Sequence, residues 1–198
     1  MDKIKIQSKD KVYGTGIIHE FNEREYTVFE LMVIMLIQSD NTAANKIIDL
    51  VGMEQINEDI VAMGLKNTKL NRKTNDERTV VSNIENITTA YDLARIWKHL
   101  SNGTFLSKDN GQMLIDILRR QQIKNKLALY IPDDLKIEIS SKTGDKKGVE
   151  NDTEYLELPK GKFTFTVLSE GIPNSVYGTV SLAKCGKMMW DEITNNWS

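Results

Sequence analysis

The chain predicts an α/β (α+β) fold: a helical lobe, then a three-stranded antiparallel sheet closed by a C-terminal helix. Three observations predict it. Apolar residues recur at helical spacing, with capping residues and closing glycines, from about residue 20 to residue 130. Short alternating segments follow between residues 136 and 168. The tail from Val176 to Ile193 returns to an amphipathic helical pattern.

The elements follow in order. Residues 1–19 are polar and broken by Gly14 and Gly16, which predicts a lead-in loop. Thr27-Val28-Phe29-Glu30 has capping-box spacing, with Thr27 as cap and Glu30 reaching back. The run Leu31 to Ile37 has no polar face, so it predicts a helix buried on all sides, stopping at Gln38-Ser39-Asp40. A second helix starts at Asn41 or Thr42 and reaches Leu50, with Gly52 beyond its end. A third covers Glu54 to Met63 and closes at Gly64. Lys66 to Asn86 is polar and irregular, and loops of that length are usually functional. Thr88 or Thr89 caps the next helix, which ends at Gly103. Ser107 caps another, with Met113, Leu114, Ile117 and Leu118 expected inward. Lys136 to Ser140, Glu154 to Leu158 and Phe163 to Leu168 read as the strands, the last two joined by a turn at Pro159-Lys160-Gly161.

At 198 residues the chain has the length of a single domain, here residues 1–198. A hydrophobic content of 40% and a charged content of 27% suit a packed core. The 26 basic residues are outnumbered by 28 acidic ones, which excludes a dedicated nucleic-acid binder. Cys185 is the sole cysteine, so no intrachain disulfide can form, and a small buried apolar role is expected for it. The N-terminus shows no apolar signal-peptide region, and Leu31 to Ile37 is too short to span a bilayer, so no membrane partner is expected. No pattern calls for a metal or a cofactor.

Two short motifs carry chemistry. Ser39-Asp40-Asn41, taken alone, is an inter-helix turn whose Asp or Asn caps the next helix. Its placement at the end of an apolar helix also makes it a rigid platform for two polar side chains. Lys142-Thr143-Gly144, taken alone, is a strand end turning on glycine. It also reads as an anion site: a point charge from Lys142, a hydroxyl from Thr143 and close backbone approach at Gly144.

The pair, in this order, resembles two of the three site motifs of the penicillin-recognising serine hydrolases, the class A β-lactamases in particular. The resemblance runs through Ser39 to Gly52, Lys142-Thr143-Gly144 with Gly148 to Asp152, and Val167 to Gly171, and covers roughly residues 10 to 195. It implies a β-lactamase/transpeptidase-like fold and a β-lactam or peptidoglycan-peptide-like small substrate, in a family that is usually exported. It implies that Ser39 relays a proton to the leaving nitrogen and that Asn41 binds the substrate side-chain amide and the active-site lysine. Lys142 and Thr143 would hold the substrate carboxylate beside Gly144, with the Asp145 N–H as half of an oxyanion hole.

The chain departs from that pattern in three places. The Ser-x-x-Lys motif that carries the nucleophile on a buried helix ahead of Ser39 is absent; the chain begins too late to contain it. Its literal matches are Ser8-Lys9-Asp10-Lys11, in a polar stretch, and Ser181-Leu182-Ala183-Lys184, on the tail helix after both motifs. Aligned on Arg72, Thr74 stands where the family's loop glutamate activates water, and Asp76 and Glu77 fall out of register as solvated charges. Asp145 places a carboxylate beside a site for an anion, and is expected to point away or pair with Lys146 or Lys147. The missing family strands and helix would leave an open sheet edge and an apolar groove, so a homo-oligomer is expected. Three readings stay open: a serine hydrolase with its nucleophile segment outside this chain, a non-catalytic binding or assembly module, and a slow-turnover penicillin-binding peptidase relative.

Overall fold

The computed structural model describes residues 3–74, 84–132, 135, 137–159 and 161–197. The chain divides into two compact units, residues 1–92 and 93–198. Each is taken by itself.

The first unit opens on a pair of strands, not on the expected loop. β1 (Lys3–Ile6) pairs antiparallel with β2 (Arg24–Thr27), Lys3 opposite Thr27 and Ile6 opposite Arg24. The alternation Lys-Ile-Lys-Ile sends Ile6 into a small core with Ile18, Tyr26, Leu31 and Ala43. α1 (Val28–Gln38) starts on the anticipated capping box. The Glu30 N–H donates to Thr27 Oγ1 at 3.1 Å, and the Thr27 N–H donates to Glu30 Oε2 at 2.7 Å. α2 (Asn41–Val51) and α3 (Met53–Ala62) follow, hinged at Gly52, whose φ of 89° suits glycine.

α1 is not buried on all sides. Leu31 is its one buried residue, and Val28 and Phe29 are exposed. Within the unit, α2 and β2 pack on it, and two elements cannot cover a helix that is apolar all round.

The second unit holds α4 (Ala90–Asn102, which starts just before the division), α5 (Lys108–Arg119), β3 (Glu138–Lys146), β4 (Val149–Leu158), β5 (Gly161–Val167) and α6 (Ser175–Asn196). The two helices after residue 90 fall, but for the start of the first, within this unit. Caps start α4, α5 and α6: the Asp92 N–H donates to Thr89 Oγ1 at 3.2 Å, Asn110 to Ser107 at 3.2 Å, and Tyr177 to Asn174 at 2.9 Å. On α5, Gly111, Ile115 and Leu118 keep one face, with Ile117 beside it. Met113 is exposed, contrary to expectation, because it lies two positions from both Gly111 and Ile115 and so points off that face.

The strands form an antiparallel sheet in the order β3-β4-β5, as the alternation predicts, but run longer than the apolar pattern suggests. Lys136 and Lys160, placed in the first strand and the turn, lie outside the described residues. Helices cover both faces. On one, the Trp97 indole donates to Thr153 Oγ1 at 2.8 Å and stacks on Tyr155 at 5.7 Å, while Ser140 Oγ donates to the Ile115 carbonyl at 3.0 Å. On the other, Leu156 and Phe165 meet Leu127, Leu182, Trp190 and Ile193, with half-buried Cys185 at the margin. α6 passes so close to the turn at Leu127 that a Cβ on Gly186 would overlap the Leu127 carbonyl. Each of those large side chains contributes roughly 1.5–3 kcal/mol by burial.

Candidate functional site

Ser39, Asp40 and Asn41 occupy the joint between α1 and α2. Ser39 has φ 52° and ψ 37° and is the non-glycine residue with positive φ among the described residues. The left-handed turn ends α1 and lets α2 begin two residues later. Serine there costs roughly 1 kcal/mol relative to glycine, strain of the kind that gathers at functional positions. Ser39→Gly is expected to raise stability by about 0.5–1 kcal/mol, read as a higher urea midpoint. An unchanged or lower midpoint would mean that contacts of the hydroxyl outweigh the strain.

Asp40 is wholly buried and is the N-cap of α2. Its carboxylate accepts from the Ala43 N–H at 2.8 Å and from the N–H groups of Ile17 at 2.7 Å and Ile18 at 2.8 Å. Gly16 makes room, since a Cβ on it would collide with that carboxylate. The neighbours bind the same segment. The Asn41 side chain donates to the Tyr13 carbonyl at 3.1 Å, and Thr42 Oγ1 accepts from the Val12 N–H at 2.9 Å. One turn further along α2, Asn45 takes up Thr74: Nδ2 donates to the Thr74 carbonyl at 2.9 Å, and Oδ1 accepts from the Thr74 N–H at 2.9 Å. Thr74, in the position the resemblance assigns to a glutamate, is therefore held by its backbone. Asn45 was not singled out, although its spacing of four from Asn41 places both on one face of a helix. Asp76 and Glu77 lie outside the described residues.

Neither literal Ser-x-x-Lys match has nucleophile geometry. Ser8 opens a 3-10 turn and gives both its N–H and its hydroxyl to Glu23 Oε1 at 2.9 Å, while Lys11 Nζ donates to the Phe21 carbonyl at 2.5 Å. Ser181 is half-buried on α6 and Lys184 is exposed.

In the second unit, β3 brings Lys142, Thr143, Gly144 and Asp145 to its C-terminal half. Lys142 is half-buried and donates to the Thr143 carbonyl at 2.7 Å. Burial pulls its ammonium down to about 8, against the charges of Asp145 and Asp152, which raise it. Thr143 is buried, and its hydroxyl has no hydrogen-bond partner among the described residues.

Asp145, expected to point away or to pair with Lys146 or Lys147, forms an ion pair with Lys126, which is buried. The register explains the setting: Asp145 lies opposite Glu150, Thr143 opposite Asp152 and Ser141 opposite Glu154, so one face of β3 and β4 carries a row of carboxyls. Burial raises Asp152 to about 7, although the Leu127 N–H and Lys126 pull it down. Burial, then the charge of Asp152, raises Glu154 well above the carboxylate range. One oxygen of each, Asp152 Oδ1 and Glu154 Oε2, is buried without a hydrogen-bond partner among the described residues. No group of three or more His, Cys, Asp or Glu among the described residues could hold a metal ion, and no helix there is long and apolar enough to cross a membrane.

A family model described as a beta-lactamase enzyme family matches residues 1–193. The chain belongs to that family. By family and fold it stands with the β-lactamase-type hydrolases. A β-lactamase from Sphaerobacter thermophilus is 29% identical, with a TM-score of 0.89 over 95% of this chain and 72% of that one. PBP-A superposes with a TM-score of 0.85 at 24% identity, over 98% of this chain and 72% of its own, which speaks to fold alone. So does a class A β-lactamase from Bacteroides cellulosilyticus, with a TM-score of 0.84 at 19% identity over 98% of this chain and 75% of that one. Comparison with curated proteins gives no match.

Proposed function

We propose that this member of the β-lactamase enzyme family binds the carboxylate of a β-lactam or peptidoglycan-peptide-like ligand at Lys142 and Thr143. The Met1–Ser198 polypeptide by itself does not open the ring through an acyl-enzyme. The observation that carries the binding reading is the buried Thr143 hydroxyl, without a hydrogen-bond partner among the described residues and next in sequence to half-buried Lys142. It is a donor already desolvated, and a ligand oxygen would satisfy it. A variant of the structural neighbour PBP-A is described as an acyl-enzyme complex with penicillin G, which makes penicillin a reasonable probe. In this reading Gly144 and the Asp145 N–H receive the carbonyl oxygen.

The acylation reading rests on the two serines that match the motif, neither of which has a buried lysine beside it. Intact-mass spectrometry after incubation with benzylpenicillin is expected to show the unmodified mass. A stoichiometric adduct would overturn the reading and locate the nucleophile. For binding, an amide NMR titration with benzylpenicillin is expected to move Thr143, Gly144 and Asp145. Thr143→Val should weaken binding about tenfold, the worth of one charge-assisted hydrogen bond. Affinity should also fall as pH rises through about 8, where Lys142 loses its proton. Amides that do not move, or affinity unaffected by Thr143→Val, would sink it.

A slow-turnover relative is the second reading, favoured by Thr74 in place of a water-activating carboxylate.

A further inference from the structure

Asp145 poses an electrostatic problem for a carboxylate site. It follows Lys142-Thr143-Gly144 directly, its side chain is 44% exposed, and its charge acts on the Lys142 ammonium. It also faces Glu150 across the strand pair, and like charges directly opposite repel.

Lys126 answers both charges. Its side chain is 1% exposed, and its ammonium meets the Asp145 carboxylate, Glu150 Oε2 at 2.7 Å and the Asn151 carbonyl at 3.2 Å. Those contacts use its three donors. A lysine so deep is held there by its partners, because an unpaired buried ammonium is very costly. The backbone next to it is fixed as well. The Leu127 N–H donates to Asp152 Oδ2 at 3.2 Å, and the Leu127 carbonyl packs against Gly186 of α6. With Lys126 in place, Lys142 and Lys126 balance Asp145 and Glu150. Without it, the same four positions carry a net negative charge.

We propose that Lys126 is a positioning residue for ligand binding: it cancels the charge of Asp145, so that Lys142 and Thr143 meet a ligand carboxylate without opposition from that side chain. The proposal rests on the carboxylate-binding reading above and assigns Lys126 no contact with the ligand.

The test is a double-mutant cycle read by the benzylpenicillin titration of the Thr143 and Gly144 amides at pH 7 and low salt. Lys126→Met is expected to raise Kd at least about tenfold, which corresponds to about 1.4 kcal/mol. Adding Asp145→Asn to it should bring Kd back to within about threefold of wild type, whereas a purely structural lysine would show no such rescue. Should Lys126→Met fail to fold, the triple variant Lys126→Met, Asp145→Asn, Glu150→Gln removes the lysine together with both charges, and it should bind like wild type. Wild-type affinity in a folded Lys126→Met, or weakening that Asp145→Asn does not reverse, overturns the proposal. So does weak binding by the triple variant. A wild-type protein that binds no benzylpenicillin sinks the carboxylate-binding reading itself, and this proposal with it.

Discussion

Replacing Asp40 by alanine is expected to cost about 3–5 kcal/mol of stability, with a matching fall in the urea midpoint. The carboxylate accepts three backbone N–H bonds, from Ala43 inside α2 and from Ile17 and Ile18 in the preceding segment. All of it is buried. Hydrogen bonds to a charged group contribute roughly 1.5–3 kcal/mol each, and removing the acceptor leaves donors with no partner. Asp40→Asn keeps one acceptor oxygen and should cost less, about 1–2 kcal/mol. A loss below about 1 kcal/mol for the alanine variant would mean that the 12–18 segment is secured by other contacts.

The second large effect is on pH dependence. Burial holds Asp152 at about 7 in the folded chain, against 3.8 as the ordinary value. The folded state therefore binds more protons than the unfolded state across that window. With ∂ΔG/∂pH proportional to unfolded minus folded protons, stability from this group is fully present below about pH 4 and is lost as pH rises toward 7. Glu154, also raised, acts in the same direction. Asp152→Asn keeps the shape and an acceptor for the Leu127 N–H while removing the charge. It is expected to stabilise the protein by about 2–4 kcal/mol at pH 8 and to flatten the fall between pH 4 and 7. Urea titrations of both proteins across that range decide it. Parallel curves would show that another group carries the dependence.

Local punctuation was legible in the sequence. The Thr27–Glu30 box, the Ser107 cap and the closing glycines at 52, 64 and 103 act through neighbours in the chain, so the sequence alone exposes them. Pairing across distance was less so. Lys3-Ile4-Lys5-Ile6 alternates, but nothing nearby shows that Arg24–Thr27 receives it. β3 and β4 extend through Lys142–Lys146 and Val149–Thr153, polar stretches that an apolar alternation test does not count. α1 reads as a buried helix because its composition is uniform, yet burial depends on how many elements surround it. In the candidate site, Ser39, Asn41 and Lys142 to Asp145 could be named from motif resemblance. Lys126 could not: a single lysine in a loop gives no sign that it will be buried among carboxylates. Asp40 was visible as a cap, but its grip on Ile17 and Ile18 is a tertiary fact.

The sheet order puts the Lys142–Thr143 strand at an edge and the carboxyl-rich strand at the centre. An edge strand offers its outer row of N–H and C=O groups to whatever extended chain arrives. A second copy docking along β3 would compete for the same backbone row as a ligand amide lying beside Lys142 and Thr143. Self-assembly by that route and the ligand binding proposed above would then be mutually exclusive states of one strand, with ligand as a dissociating agent.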